Sequence, residues 1–111
     1  MGAELSKSRF TVYAILLSDK VLESRKFLEA NPNYVRGMAC FYVGMTAKSP
    51  AERFEQHLAG YKSNRFAHVY GLRLMPPSFT LIKPRTYEEA CRLERKIAER
   101  MRRKGFGVWQ N

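Results

Sequence analysis

The chain has 111 residues, with 20 Lys or Arg against 10 Asp or Glu, a formal charge of +10. That length supports one modest core and excludes two domains, and 45% hydrophobic with 13% aromatic residues excludes a disordered chain. The charge calls for a polyanionic partner, and nucleic acid fits better than a membrane because neither a terminal basic amphipathic helix nor a lipid-anchor signal is visible.

Residues 1–111 therefore read as a single domain. The first nine residues are a polar leader with no signal-peptide pattern, and the longest apolar run, Val12–Leu17, has six residues, too short to span a bilayer. Cys40 and Cys91 belong to no CxxC or Cys/His spacing and lie in apolar contexts. They read as two reduced, buried thiols, which points to a cytoplasmic location.

Phe10–Leu17 (FTVYAILL) is rich in β-branched and aromatic residues and predicts a central strand. Alternation puts Phe10, Val12, Ala14 and Leu16 on one face and Thr11, Tyr13, Ile15 and Leu17 on the other, both apolar. Ser18-Asp19 can cap a helix over roughly Val21–Ala30, ended by Asn31-Pro32-Asn33. Its apolar stripe is weak, so residues 18–37 read as a partly helical, solvated insertion carrying Lys20, Arg25, Lys26 and Arg36, or as a surface for a partner.

Ala39–Met45 (ACFYVGM) is the second strand, expected to pair antiparallel with the first. Ser49, Pro50 and Glu52 form a capping-box start for a helix over Pro50–Ala59 that Gly60 ends. Ala51, Phe54, Leu58 and Ala59 make its core-facing arc, and Arg53 and His57, four apart, stack on its flank. The basic and aromatic stretch Tyr61–Tyr70 follows, with Ser63 as the expected cap of a short helix. Leu72–Met75 and Phe79–Ile82, broken by Pro76-Pro77, predict a third strand at an edge. Thr86 and Glu89 repeat the capping box and open a long helix reaching about Lys104, and Val108-Trp109 is a candidate to rejoin the sheet.

That long helix places a carboxylate among hydrophobes. At about 100° per residue, with Ala90 at about 0°, Leu93, Ile97, Met101 and Ala98 span an apolar arc into which Glu94 falls at about 40°. Glu99 lies near the opposite side with Arg92, Arg95 and Arg102. A buried carboxylate costs several kcal/mol unless it is paired or bound to a cation, so Glu94 is either a buried ion pair or a ligand for a hard divalent metal. Mg²⁺ needs only one or two protein carboxylates when substrate phosphate supplies further oxygens.

VYAIL at 12–16, FYVGMT at 41–46, Arg53 with His57, and EEACRLERKI at 88–97 together resemble a GIY-YIG nuclease domain. Val12-Tyr13-Ala14 stands for the first triplet and Tyr42-Val43-Gly44 for the second. The resemblance covers most of the chain, with residues 18–37 extra between the tyrosines and Asn111 standing where the family often has an Asn. It implies an α+β domain, a small three-stranded antiparallel sheet flanked by helices, with Tyr13 and Tyr42 facing Arg53 and Glu94. It further implies hydrolysis of phosphodiester bonds in DNA, with RNA left open, by a metal-dependent endonuclease.

In that scheme Glu94 holds one Mg²⁺ or Mn²⁺, Arg53 stabilises phosphoryl charge, and Tyr13 activates the attacking water as a phenolate favoured by nearby positive charge. Tyr42 hydrogen-bonds nucleophile or phosphate, and His57 orients a tyrosine or relays a proton. Lys48, Lys62, Arg65, Arg92, Arg95, Arg102, Arg103 and Lys104 are the candidate phosphate contacts. Two other readings stand beside it: a non-catalytic nucleic-acid-binding module, and a nuclease-like subunit or homodimer whose residues 18–37 dock a larger recognition partner.

Overall fold

The computed structural model describes residues 10–80 and 86–110. Their centre is a four-stranded mixed sheet in the order β3-β1-β2-β4, built from β1 (Thr11–Leu17), β2 (Cys40–Thr46), β3 (Gly71–Leu74) and β4 (Gly107–Gln110). β1 pairs antiparallel with both β2 and β3, whereas β2 pairs parallel with β4. The expected three antiparallel strands thus gain a fourth, parallel one, because the chain returns along the long helix and lays Val108 beside Phe41 and Trp109 beside Tyr42.

The two apolar faces read from β1 each bury a separate layer. Tyr13, Ile15 and Leu17 share one face with Cys40 and Tyr42, covered by Val21, Phe27, Phe66 and Ala67. Val12 and Ala14 share the other with Phe41, Val43 and Val108, covered by Ala90, Ala98 and Met101. The second layer belongs to the helix α5 (Tyr87–Arg103), whose start is a complete Thr86–Glu89 capping box.

Residues 18–37 depart from the solvated insertion expected. Ser24 interrupts the expected helix: a 3-10 helix (Asp19–Glu23) precedes it, and Ser24 then caps α1 (Arg25–Ala30) by accepting from the Phe27 N–H. Val21 and Phe27 are both fully buried, and a buried phenylalanine is worth about 1.5–3 kcal/mol. The insertion is consequently part of the core, with Leu28 and Val35 left exposed on its outer side.

α2 (Pro50–Ala59) begins and ends as its caps dictate, with Ser49 accepting from the Glu52 N–H and Gly60 in the left-handed region at φ 80°. Asn64, rather than Ser63, caps α3 (Arg65–Tyr70) by accepting from the N–H groups of Phe66 and Ala67. β3 is an edge strand as expected, but Pro77–Thr80 form a single helical turn, α4, rather than its continuation. Leu81 and Ile82 lie outside the described residues, as does Asn111. No helix among the described residues is long and apolar enough to cross a membrane.

Candidate functional site

Tyr13, Tyr42 and His57 come from three segments and meet on one face of the sheet. Register makes this possible: Tyr13 lies opposite Gly44, with Tyr42 two residues back on the same face. The absence of a side chain at Gly44 leaves room for both rings, since a Cβ there would sit 2.7 Å from the Tyr13 hydroxyl and 2.9 Å from Tyr42 Cε2. α2 then delivers His57, fully buried, with its ring centroid 5.2 Å from that of Tyr42 and Nε2 2.8 Å from the Tyr13 hydroxyl.

The tautomer of His57 follows from the groups around it. Ser63 Oγ lies 2.9 Å from His57 Nδ1, 2.9 Å from the Asn64 carbonyl and 3.3 Å from the His57 carbonyl. A serine has one hydroxyl proton, and the two carbonyls can only accept it, so Ser63 accepts from Nδ1–H. Nε2 is then bare and accepts from Tyr13. Burial, reinforced by Arg53, lowers the His57 pKa to about 4, so the ring is neutral. Ser63 therefore serves His57 instead of the helix cap assigned from sequence, and Asn64, an equally good capping residue, takes that place.

Burial also pushes the Tyr13 phenol far up; Tyr42 and Glu94 add to this, while Arg53 opposes it. Among the groups present, desolvation outweighs Arg53, which leaves Tyr13 a neutral donor. Arg53 itself is held in place, with Nη1 donating to Gln56 Oε1 at 3.0 Å and the Tyr61 carbonyl at 3.3 Å, and Nη2 to the Lys62 carbonyl at 2.7 Å. Of a guanidinium's five N–H groups, two have no partner among the described residues.

Glu94 is only 5% exposed although it sits on the apolar side of α5. Burial raises its pKa to about 7 against a weaker opposing pull from Arg95. It makes no hydrogen bond or ion pair among the described residues, so the buried-pair alternative lacks a partner there. Its carboxylate instead lines a cavity of about 480 Å³ with Phe10, Met45, Thr46, Ala47, Tyr87, Cys91, Arg95 and Gln110.

α5 packs on the face of the sheet opposite the tyrosines, and Glu94 on it borders Thr46 and Ala47 at the end of β2. The Glu94 charge nevertheless reaches Tyr13, as do those of Tyr42 and Arg53.

Gln110 is the residue that sequence reasoning misses at this cavity. Its Oε1 is buried without a hydrogen-bond partner among the described residues, and β4 pairing sets it beside Val43 on Glu94's face. Alternation with Val108 is the signal that would reveal it, once β4 is known. A carboxylate and an unpartnered amide oxygen are both hard donors, so they fit Mg²⁺ or Mn²⁺ with water or phosphate completing the shell. No cluster of three or more His, Cys, Asp or Glu suited to a metal occurs among the described residues.

The basic residues divide by their surroundings. Lys48, Lys62, Arg65, Arg92, Arg95, Arg103 and Lys104 are exposed, and Arg92 and Arg95 flank Leu93 and Lys96 in a groove on α5. Arg102, placed by helical angle on the solvated side, is half-buried. Its Nε donates to Asn31 Oδ1 at 3.2 Å and its Nη2 to the Val108 carbonyl at 2.9 Å, so it clamps β4 to the insertion. Cys40 is buried, Cys91 is half-buried beside Glu94, and both are free thiols.

Comparison of the chain with family models, curated proteins and solved structures finds no match.

Proposed function

We propose that this protein is a metal-dependent endonuclease that hydrolyses phosphodiester bonds in DNA. The observation that carries the reading is the buried Tyr13–His57 hydrogen bond beside Tyr42, because a neutral imidazole aligned on a phenol is a proton relay. The GIY-YIG resemblance assigns roles to these same residues, and the excess of 10 positive charges supplies the field for a polyanion.

When bound by Glu94 and Gln110, Mg²⁺ or Mn²⁺ supplies charge neutralisation at the scissile phosphate and at the leaving 3′ oxygen. The chain supplies the rest. With Tyr13 raised above its ordinary 10.0 and His57 lowered to about 4, transfer from Tyr13 to His57 alone is strongly uphill. Tyr13 therefore gives its proton to Nε2 only as it takes one from the attacking water. Ser63 fixes the receiving nitrogen, the buried Tyr42 holds the Tyr13 phenol in line, and Arg53 turns N–H groups to the phosphoryl oxygens.

Incubation of the purified protein with duplex, flapped and branched DNA and Mg²⁺ or Mn²⁺ tests this reading. Cleavage is expected, and Glu94→Ala is expected to abolish it. If every substrate stays intact, the endonuclease reading fails. The engaged Arg53 and the raised Tyr13 favour a second reading, a non-catalytic nucleic-acid-binding module, for which binding is salt-sensitive and unchanged by Glu94→Ala.

A further inference from the structure

A second concave site lies beside the tyrosines. Its walls come from the insertion (Glu23, Lys26), from α3 (Arg65, Phe66, Tyr70) and from β4 (Trp109), around about 540 Å³, within the range of about 300–1,000 Å³ that small ligands occupy. Three of these residues are aromatic and in contact: the Phe66 and Trp109 centroids are 4.6 Å apart, and Phe66 and Tyr70 stack at 6.4 Å. The Lys26 ammonium sits 5.4 Å from the Trp109 ring centroid. Trp109 is only partly buried, while Lys26 and Arg65 are exposed.

A polar-rimmed aromatic pocket is an odd thing to leave at the end of a sheet. Tyr70 and Trp109 pack against the core on one side and stay partly exposed on the other, where Lys26 and Arg65 rim the pocket. The combination suits a planar heteroaromatic ring joined to an anion: ring on ring, with the anion against Lys26 and Arg65. Glu23 at the rim makes a free anion without a ring a poorer occupant. Trp109 also stands next to Tyr42 in register, about 4.8 Å away across the strands, so Tyr42 links the pocket to the Tyr13–His57 pair.

We infer that this pocket takes an unpaired nucleobase, with its phosphate held by Lys26 and Arg65, and that the protein thereby selects DNA carrying a single-stranded segment next to the cleaved bond. The inference rests on the nuclease reading for its substrate, but the pocket can be tested without cleavage. A base paired in a duplex has no free face to offer Trp109, so duplex alone cannot fill the site.

Trp109 is the sole tryptophan of the chain, which makes its emission a direct report. In EDTA, a short oligothymidine strand is expected to quench Trp109 saturably, while an abasic strand of equal length and charge binds about tenfold more weakly and leaves emission unchanged. Fully paired duplex is expected not to quench. Lys26→Gln and Arg65→Gln, both surface changes, are each expected to weaken oligothymidine binding several-fold and lower its salt dependence by about one phosphate contact.

Equal binding or quenching by the abasic strand, or unchanged emission when fluorescence anisotropy shows oligothymidine bound, overturns the inference. Glu94→Gln separates it from the nuclease reading, because quenching must survive that change. Quenching without cleavage in Mg²⁺ keeps the pocket and removes the endonuclease, whereas cleavage without quenching does the reverse.

Discussion

The hydroxyl of Tyr13 and Nε2 of His57 lie 2.8 Å apart across 44 residues of sequence, and both groups are out of water. Their pKa values are driven apart by the same cause, since burial raises the phenol and lowers the imidazole. The pair is consequently locked in one protonation state, phenol and neutral imidazole, across the ordinary pH range. Under the proposed mechanism, catalysis through it depends on alignment, and alignment depends on the empty space at Gly44.

Gly44→Ala is the sharpest test of that space. The added methyl would meet the Tyr13 hydroxyl at 2.7 Å and its Cζ at 2.9 Å, contacts that cannot be kept. The ring must move off His57 or the strands must part, at about 1–3 kcal/mol of stability. Cleavage is expected to fall roughly a hundredfold or more. In a Tyr13→Phe background the same change should reduce the rate little further, because the two act on one contact. Single-turnover rates for the four proteins decide it, and additive losses would mean that Gly44 acts elsewhere.

The charge balance of the ligand-free protein predicts its acid and alkaline behaviour. His57 has a folded pKa near 4, below its ordinary 6.5, so its contribution is complete above about pH 6.5 and is lost as pH falls toward 4. Glu94 runs the other way: its folded pKa near 7 exceeds the ordinary 4.5, so its contribution is complete below about 4.5 and is lost as pH rises through 7. The two oppose each other between those limits and flatten the wild-type profile.

Glu94→Gln removes one side of that balance. In EDTA the variant is expected to match wild type near pH 4.5 and to be more stable at pH 8 by about 2 kcal/mol. Denaturant melts at pH 4.5, 6 and 8 measure this. A variant no more stable at pH 8 would show that ionised Glu94 is comfortable in its cavity, and would remove the reason for a cation there.

Local signals carry much of this architecture. The alternation in Val12–Leu17 assigns both faces of β1 correctly, the Ser49 and Thr86 caps fix the starts of two helices, and helical angle alone finds the burial of Glu94. The errors arise where distant segments decide. β4 is four residues long and is fixed by parallel pairing with β2, so neither its register nor the position of Gln110 can be read locally. Ser63 and Asn64 have nearly equal capping preference, and the choice between them is made by His57. Arg102 shares its helical side with Glu99, but the insertion reaches over to bury it through Asn31.

That contact separates structural from binding arginines. Asn31, 3% exposed, accepts from the Val108 N–H at 2.8 Å and from Arg102, and donates to the Phe27 carbonyl at 2.8 Å. Asn31→Ala is expected to cost about 2–4 kcal/mol, since it strands a buried backbone donor and loosens the guanidinium. Arg102→Gln should likewise lower the melting temperature and leave the salt dependence of DNA binding intact. Arg95→Gln and Arg103→Gln should do the opposite, with each removing about one phosphate contact from the salt slope. Thermal melts beside binding at several salt concentrations distinguish the two groups.

Gln110 tests the cation site from the side that carries no charge. Its Oε1 is buried without a partner among the described residues, a cost of about 1–3 kcal/mol that a bound cation would relieve. Gln110→Leu, of similar size, removes the orphaned oxygen, so in EDTA the variant is expected to be more stable than wild type by about 1 kcal/mol. Mg²⁺ should reverse the order: wild type gains stability as the ion binds the folded state, while the variant gains less because its affinity is about tenfold weaker. Melting temperatures across a Mg²⁺ titration read both effects without DNA or cleavage. Parallel gains in the two proteins would place the ion away from Gln110, and no gain in either would remove Glu94 and Gln110 as its ligands.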